Sequence, residues 1–211
     1  MLNAYMVGIP VGSETKKNNK TIEKTDNVYP TSLPTGQTGN LLLPTSILSY
    51  DLQTNLPSEE VVINRYDNKG NPIQYTTKGG NTTGIVWGYN KTLPIAKIEG
   101  KDAAFFLGMF DTDIVSLSNA SNNDINPATE DTFRVKLDAF QKRQFNLDVS
   151  ITTYTHDPLI GVTSISPPSG MRELYIYDTA NRLKEVKQLD KDAAGNPVYK
   201  IVKEYQYNYK N

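Results

Sequence analysis

The chain has 211 residues, with 22 basic and 23 acidic side chains and a net charge of −1, so it is long enough to bury a core and has no field to draw in nucleic acid. Cysteine is absent, which removes disulfides, thiolate nucleophiles and Cys-based zinc sites together, and no run of about 18 apolar residues is present to cross a membrane as a helix. Hydrophobic residues make up 37% and thirteen Tyr stand against six Phe and one Trp; this composition fits half-exposed sheets in which one end of each ring stays wet.

Met1-Leu2-Asn3-Ala4-Tyr5 lacks a basic region followed by an apolar core, so it is not a signal peptide, and an exported form would carry its signal on a longer precursor. Residues 2–11 alternate loosely and predict an edge strand that tolerates Pro10. Thr15 to Val28, charged and polar, predicts an exposed hairpin arm, and Pro30, Pro34, Gly36 and Gly39 mark a surface loop. Ile47-Leu48-Ser49-Tyr50 predicts a short buried strand.

Val61, Ile63 and Arg65 then lead into a tight turn over Asp67-Asn68-Lys69-Gly70-Asn71, and Ile73 to Thr77 comes out of it. Asp and Asn bond their own turn, and Gly accepts positive φ without steric cost. Lys78-Gly79-Gly80-Asn81 makes a second turn. Thr83 to Tyr89 follows as a strand with Ile85, Trp87 and Tyr89 on one face, and Leu93 to Ile98 as another.

The apolar period changes after residue 100. Asp102 is positioned to cap a helix to about Ser118, with Phe106, Phe110, Ile114 and Leu117 at helical spacing. Thr129-Glu130-Asp131 opens a second helix with a stripe of Phe133, Leu137 and Phe140. The pair predicts an antiparallel helical hairpin packed on the sheet. Strands resume from Leu147, turn at Pro167-Pro168-Ser169-Gly170, and reach a second Tyr-Asp hairpin over 171–188, with Tyr177-Asp178 matching Tyr66-Asp67 and Asn181 standing where Gly70 does. The final strand runs through Tyr199 to Tyr209, and Tyr207-Asn208 has the form of another copy. The fold class is therefore mainly β (α+β): an antiparallel β-hairpin meander with an inserted two-helix hairpin. The regions are 1–100, 101–145 and 146–211. A strand left at an open edge predicts a piece of a longer array, which needs neighbours to bury its core.

The ordered set Tyr66-Asp67-x-x-Gly70-Asn71, Trp87-Gly88-Tyr89-Asn90 with Pro94 to Glu99, Thr152 to Thr155 with Pro158 to Ser164, and Tyr177-Asp178 resembles the YD-repeat (RHS-repeat) proteins, in particular a Bacteroidetes-type branch. The resemblance covers most of residues 60–211. It implies a segment of a large secreted or cell-surface protein whose strands wind into a β-shell, in some members around a C-terminal toxin, with a looser association with carbohydrate binding. Asn181 and the additional Lys191-Asp192-Ala193-Ala194 depart from the family pattern. Asp157-Pro158-Leu159-Ile160-Gly161 has one residue too many for the Asp-Pro-x-Gly self-cleavage signature of shell-forming relatives, so cleavage is not carried over.

Chemistry has few footholds. His156 is the only histidine, so a Ser-His-Asp triad would have to use it, whereas a histidine in a strand-end turn is ordinarily a polar turn residue. Glu59-Glu60, Asp111/Asp113 and Glu130-Asp131 are carboxylate pairs, but none forms the Asp-x-Asp-x-Asp-Gly loop of a strong calcium site. Gly79 to Gly84 is glycine-rich without the Lys of a phosphate loop. Trp87 with Tyr89 suits either a sugar-stacking platform or a sheet core. The expectation is a non-enzymatic structural or interaction segment, with no catalytic, cofactor or metal site and an extracellular or cell-surface place. Its partners would be the rest of a repeat protein or another chain, with a glycan as the alternative. The repeat motif residues Tyr66, Asp67, Gly70, Asn71, Trp87, Tyr89, Tyr177 and Asp178 act as building devices, Tyr filling the layer between strands and Asp fixing the turn.

Overall fold

A computed structural model describes residues 9–144 and 147–207. The chain is mainly antiparallel β with inserted helices, and it divides into two compact units, Met1–Thr83 and Gly84–Asn211.

In the first unit the strands β1 (Gly12–Lys17), β2 (Lys20–Val28), β3 (Ser46–Tyr50), β4 (Pro57–Tyr66) and β5 (Pro72–Thr77) pair antiparallel in chain order. The expected edge strand over residues 2–11 falls largely outside the described residues, and β1 begins after it. β1 and β2 are the exposed arm that their polarity predicts. The two-residue turn Asn18-Asn19 joins them with φ of 51° and 60°, the mirror-image turn that matches strand twist. β3 differs from expectation: Ser46 is buried but Ile47 to Tyr50 are only half-buried. Ile63 of β4 is the unit's buried aliphatic side chain among the described residues.

The boundary between the units lies within β6 (Thr82–Gly88). In the second unit β6 is followed in sheet order by β7 (Leu93–Gly100), β8 (Ser150–Asp157), β9 (Gly161–Ser166), β10 (Glu173–Tyr177), β11 (Leu183–Lys191) and β12 (Pro197–Glu204). Although about fifty residues separate them, β7 and β8 are hydrogen-bonded neighbours, with Ala96 opposite Thr153 and Ile98 opposite Ile151. The helices therefore leave and rejoin the sheet at one point. That point is stapled: Asp102 N–H donates to the Asp148 carbonyl at 3.3 Å, and Asp148 N–H donates to Asp102 Oδ2 at 2.8 Å. Gly100, at φ 139°, lies so close to Asp148 that a Cβ would strike its carbonyl.

Asp102 thus closes the insertion rather than capping a helix with its side chain. The first expected helix is divided at Phe110 into α1 (Ala103–Met109) and α2 (Asp111–Ser121). The helix expected from Thr129 starts earlier, as α3 (Pro127–Gln141), because Asn126 and Thr129 form a capping box with Pro127 at the first turn. The expected apolar stripes are the core: Phe106, Leu117, Phe133, Leu137 and Phe140 pack with Val86, Ile95, Ala96, Ile98 and Ile151 of the sheet. Region 101–145 shares this core with β6–β8, so it belongs to the second unit.

Candidate functional site

The Tyr-Asp turn recurs with one hydrogen-bond pattern. Asp67 N–H donates to the Asn71 carbonyl at 2.9 Å, and Gly70 N–H donates to the Asp67 carbonyl at 3.1 Å. In the second copy Asp178 N–H donates to Arg182 O at 2.8 Å and Asn181 N–H to Asp178 O at 3.0 Å. The same frame appears at Asp192 (to Asn196 O, 2.9 Å) with Gly195 (to Asp192 O, 3.0 Å), and at Thr77 (to Asn81 O, 3.1 Å) with Gly80 (to Thr77 O, 2.8 Å). The fourth residue has positive φ in every copy: 87° at Gly70, 78° at Gly80, 59° at Asn181 and 86° at Gly195. Asn181 holds there because Asn tolerates the left-handed region better than other side chains. The residues at 191–194 that departed from the family pattern therefore supply a further copy of the turn, with Asp192 in the place of Asp67.

The aspartate does the same work each time. One carboxylate oxygen accepts from the N–H groups two and four residues on: Lys69 and Asn71 (2.8 and 3.0 Å), Ala180 and Arg182 (2.8 and 3.0 Å), Ala194 and Asn196 (2.9 and 2.8 Å). The other oxygen accepts from the fifth side chain, Asn71 Nδ2 at 3.1 Å, Asn196 Nδ2 at 3.2 Å, or the Arg182 guanidinium at 2.8 and 2.6 Å. The Arg182 side chain, then backbone N–H groups, hold the Asp178 carboxyl below its ordinary range, and backbone donation from Asn196 does so for Asp192.

The preceding tyrosine is also used alike. At or just beyond the end of a strand its hydroxyl crosses to a carbonyl at or just before the start of the previous antiparallel strand. Tyr66 donates to Pro44 O at 2.8 Å, Tyr177 to Val162 O at 2.8 Å, and Tyr207 to Leu183 O at 2.9 Å. Tyr207 further stacks on Arg182, whose guanidinium lies 4.4 Å from the ring centroid. Asn208 lies outside the described residues.

Trp87-Gly88-Tyr89-Asn90 is a junction for the inserted helices. Val86 is buried toward them, between Gly84 and Gly88, while Ile85 and Trp87 are half-buried; Tyr89 follows the strand at φ 49°, so Ile85, Trp87 and Tyr89 do not share a face as the alternation predicts. The end of α2 meets the motif group by group. Ser118 Oγ donates to Trp87 O at 2.7 Å, Tyr89 N–H donates to Ser121 Oγ at 2.8 Å, and Asn90 N–H donates to Asn122 Oδ1 at 2.7 Å. The Tyr89 hydroxyl donates to Asp124 Oδ2 at 2.6 Å and accepts from His156 N–H at 2.9 Å. Burial, then the bond to Asp124, pushes the Tyr89 phenol far up, and burial raises the Asp124 carboxyl. Tyr89 is 5% exposed, so it has no ring face for a sugar and a Trp87–Tyr89 stacking platform is not formed.

His156 is 8% exposed, a buried strand residue rather than a polar turn residue. Its Nε2 lies 2.8 Å from the Pro94 carbonyl, so Nε2 carries the proton and donates, and the ring stands edge-on to Tyr89 at 5.6 Å. Burial holds its pKa below the ordinary histidine value. One carboxylate of each pair is held in a structural contact. Glu60 accepts from Ser49 Oγ at 2.6 Å and pairs with Lys78 at 3.1 Å. Asp113 pairs with Arg143 at 3.4 Å, and Glu130 accepts from Thr155 and pairs with Arg134 at 2.6 and 2.8 Å.

The eight motif residues therefore fall into two sets, turns (Tyr66, Asp67, Gly70, Asn71, Tyr177, Asp178) and junction (Trp87, Tyr89). Ser118, Ser121 and Asp124 complete the junction and carry no sequence signal of their own. The Thr77 and Asp192 turns do carry one: Gly-Asn recurs three residues after each.

No family model and no curated protein matches the sequence. Among solved structures the chain is similar to the crystal structure of TcdB2-TccC3-Cdc42, at 10% identity and a TM-score of 0.42 over 90% of this chain. It is likewise similar to that of TcdB2-TccC3, at 12% identity and a TM-score of 0.42 over 95% of this chain. It spans 9% and 10% of the length of those chains.

Proposed function

We propose that this chain is a non-enzymatic structural and interaction segment of an extracellular or cell-surface protein of the YD-repeat kind, supplying hairpins to a β-sheet shell. The observation that carries this reading is the repetition: four turns share one backbone frame, and three tyrosines share one hydroxyl anchor. A ligand site needs one constellation, whereas a device that closes hairpins is used wherever a hairpin must be closed. The hydrogen bonds described for the three aspartates stay within the turn and those of the three tyrosines cross to the adjacent strand, which supports the reading. The partner is another protein strand or chain. β12 bears Ile201 and Val202 at 54% and 47% exposure, and apolar side chains on a strand at the end of the sheet order suit pairing with a further strand. Sedimentation velocity over a concentration series tests this. Concentration-dependent association, lost in Ile201→Lys/Val202→Lys, is the expected result; a stable monomer at every concentration would overturn it.

A further inference from the structure

Between the end of α3 and the loop before β10 lies a cavity of about 370 Å³ lined by Asp138, Gln141, Lys142, Ser169, Gly170 and Arg172, among others. It is built around a charge. Arg172 is 8% exposed, and its guanidinium pairs through one terminal nitrogen with Asp138 Oδ1. Its Nε is buried and has no hydrogen-bond partner. A buried donor without an acceptor is costly, and a charged one more so. The surrounding groups do not relieve it: Gln141 Nε2 and Gly170 N–H are themselves donors, committed to the carbonyls of Ile151 and Pro167 and to Pro167 O, and Gln141 Oε1 accepts from Ser166 Oγ at 3.4 Å. Lys142, exposed at the same rim, has no ion-pair partner among the described residues. Two cations face one carboxylate, so the cavity is one negative charge short.

We infer that this cavity binds a carboxylate group, which the Arg172 guanidinium and the Lys142 ammonium hold together. Asp138 occupies one guanidinium nitrogen and fixes the side chain, and the incoming carboxylate meets the guanidinium where Arg172 lines the cavity, beside the unpartnered Nε. A planar carboxylate suits an arginine edge, and the lysine adds a second charge-assisted contact. The site is separate from the turns and the Tyr89 junction, and it goes beyond the structural role proposed above.

The full chain is titrated with succinate and, separately, with acetyl-Ala-Glu-Ala-amide, against sodium chloride at matched ionic strength, while the NMR signal of the Arg172 Nε–H is followed. The expected result is a saturable shift with a carboxylate probe and none with chloride. Lys142→Gln, an exposed change that leaves the fold intact by circular dichroism, weakens binding about tenfold or more. A response to succinate alone marks a free small carboxylate as the ligand; a response to the peptide marks an acidic side chain of a partner. No saturable shift with either probe, an equal shift with chloride, or an unchanged affinity in Lys142→Gln overturns the inference. Each of these outcomes leaves the sedimentation test of the structural reading unaffected.

Discussion

A Cβ on Gly88 would lie 2.6 Å from Ile95 Cγ2 and would also strike Ser121 Oγ, and both neighbours are packed between sheet and helix. Gly88→Ala therefore lowers stability by about 1–3 kcal/mol through overpacking, measured by urea unfolding, whereas Gly108→Ala, with nothing within 4 Å, is neutral or stabilising. Tyr89→Phe removes the donor to Asp124 and the acceptor for His156 N–H, and costs about 1–3 kcal/mol because both partners stay buried. His156 gives the junction a pH dependence. Its folded pKa is depressed by burial, so its contribution is complete above the unfolded value of about 6.5 and is lost as pH falls through that value toward the folded one. Asp124, raised by burial, acts with the opposite sign and nearer the carboxylate range. Unfolding followed from about pH 7 to about pH 5.5 shows a decline in the native protein and a flatter profile in His156→Gln; equal slopes would remove His156 from the account.

At the scale of the element, the turn is a conformational unit before it is a chemical one. Gly80 and Gly195 have φ of 78° and 86° and open space around them, so an added Cβ meets no neighbour and pays only for the left-handed backbone. Gly80→Ala and Gly195→Ala each lose about 1–2 kcal/mol, by urea unfolding, and near-equal losses are the signature of one shared frame. Tyr177→Phe, which deletes the bond to Val162 O, costs about 0.5–1.5 kcal/mol. The Asp67 and Asp178 turns are legible in the sequence because their chemistry is local: Asp, two residues, Gly or Asn, then a side chain that covers the carboxylate; Asp192 carries the same pattern without the preceding Tyr, and so reads as a departure. The inserted helices were legible as apolar stripes, but the break at Phe110 was not, since helical spacing continues from Phe106 through Ile114. Nor was the use of Asp102, because the pattern of a cap is the same whether the acceptor serves its own helix or Asp148. Ser118, Ser121 and Asp124 became functional only by proximity to a strand some thirty residues away, a relation that no short window holds.

At the scale of the molecule, each compact unit carries the device, Asp67 and Thr77 in the first and Asp178 and Asp192 in the second. A chain assembled this way uses its most specific side chains to close hairpins and to seat three helices against β6–β8. That is the distribution expected of the proposed scaffold, and it fits the bonding of His156 to the Pro94 carbonyl and of Glu60, Asp113 and Glu130 to neighbouring side chains. Native-state amide hydrogen exchange tests the central claim most directly, because the hairpin device and a ligand-binding loop differ in local stability. The account expects the N–H groups of Asp67, Asp178 and Asp192, and of Gly70, Asn181 and Gly195, to be protected in the free chain, at levels near those of the strands they join. Exchange of these amides at the rate of an open loop, with protection appearing only on addition of a ligand, would contradict it.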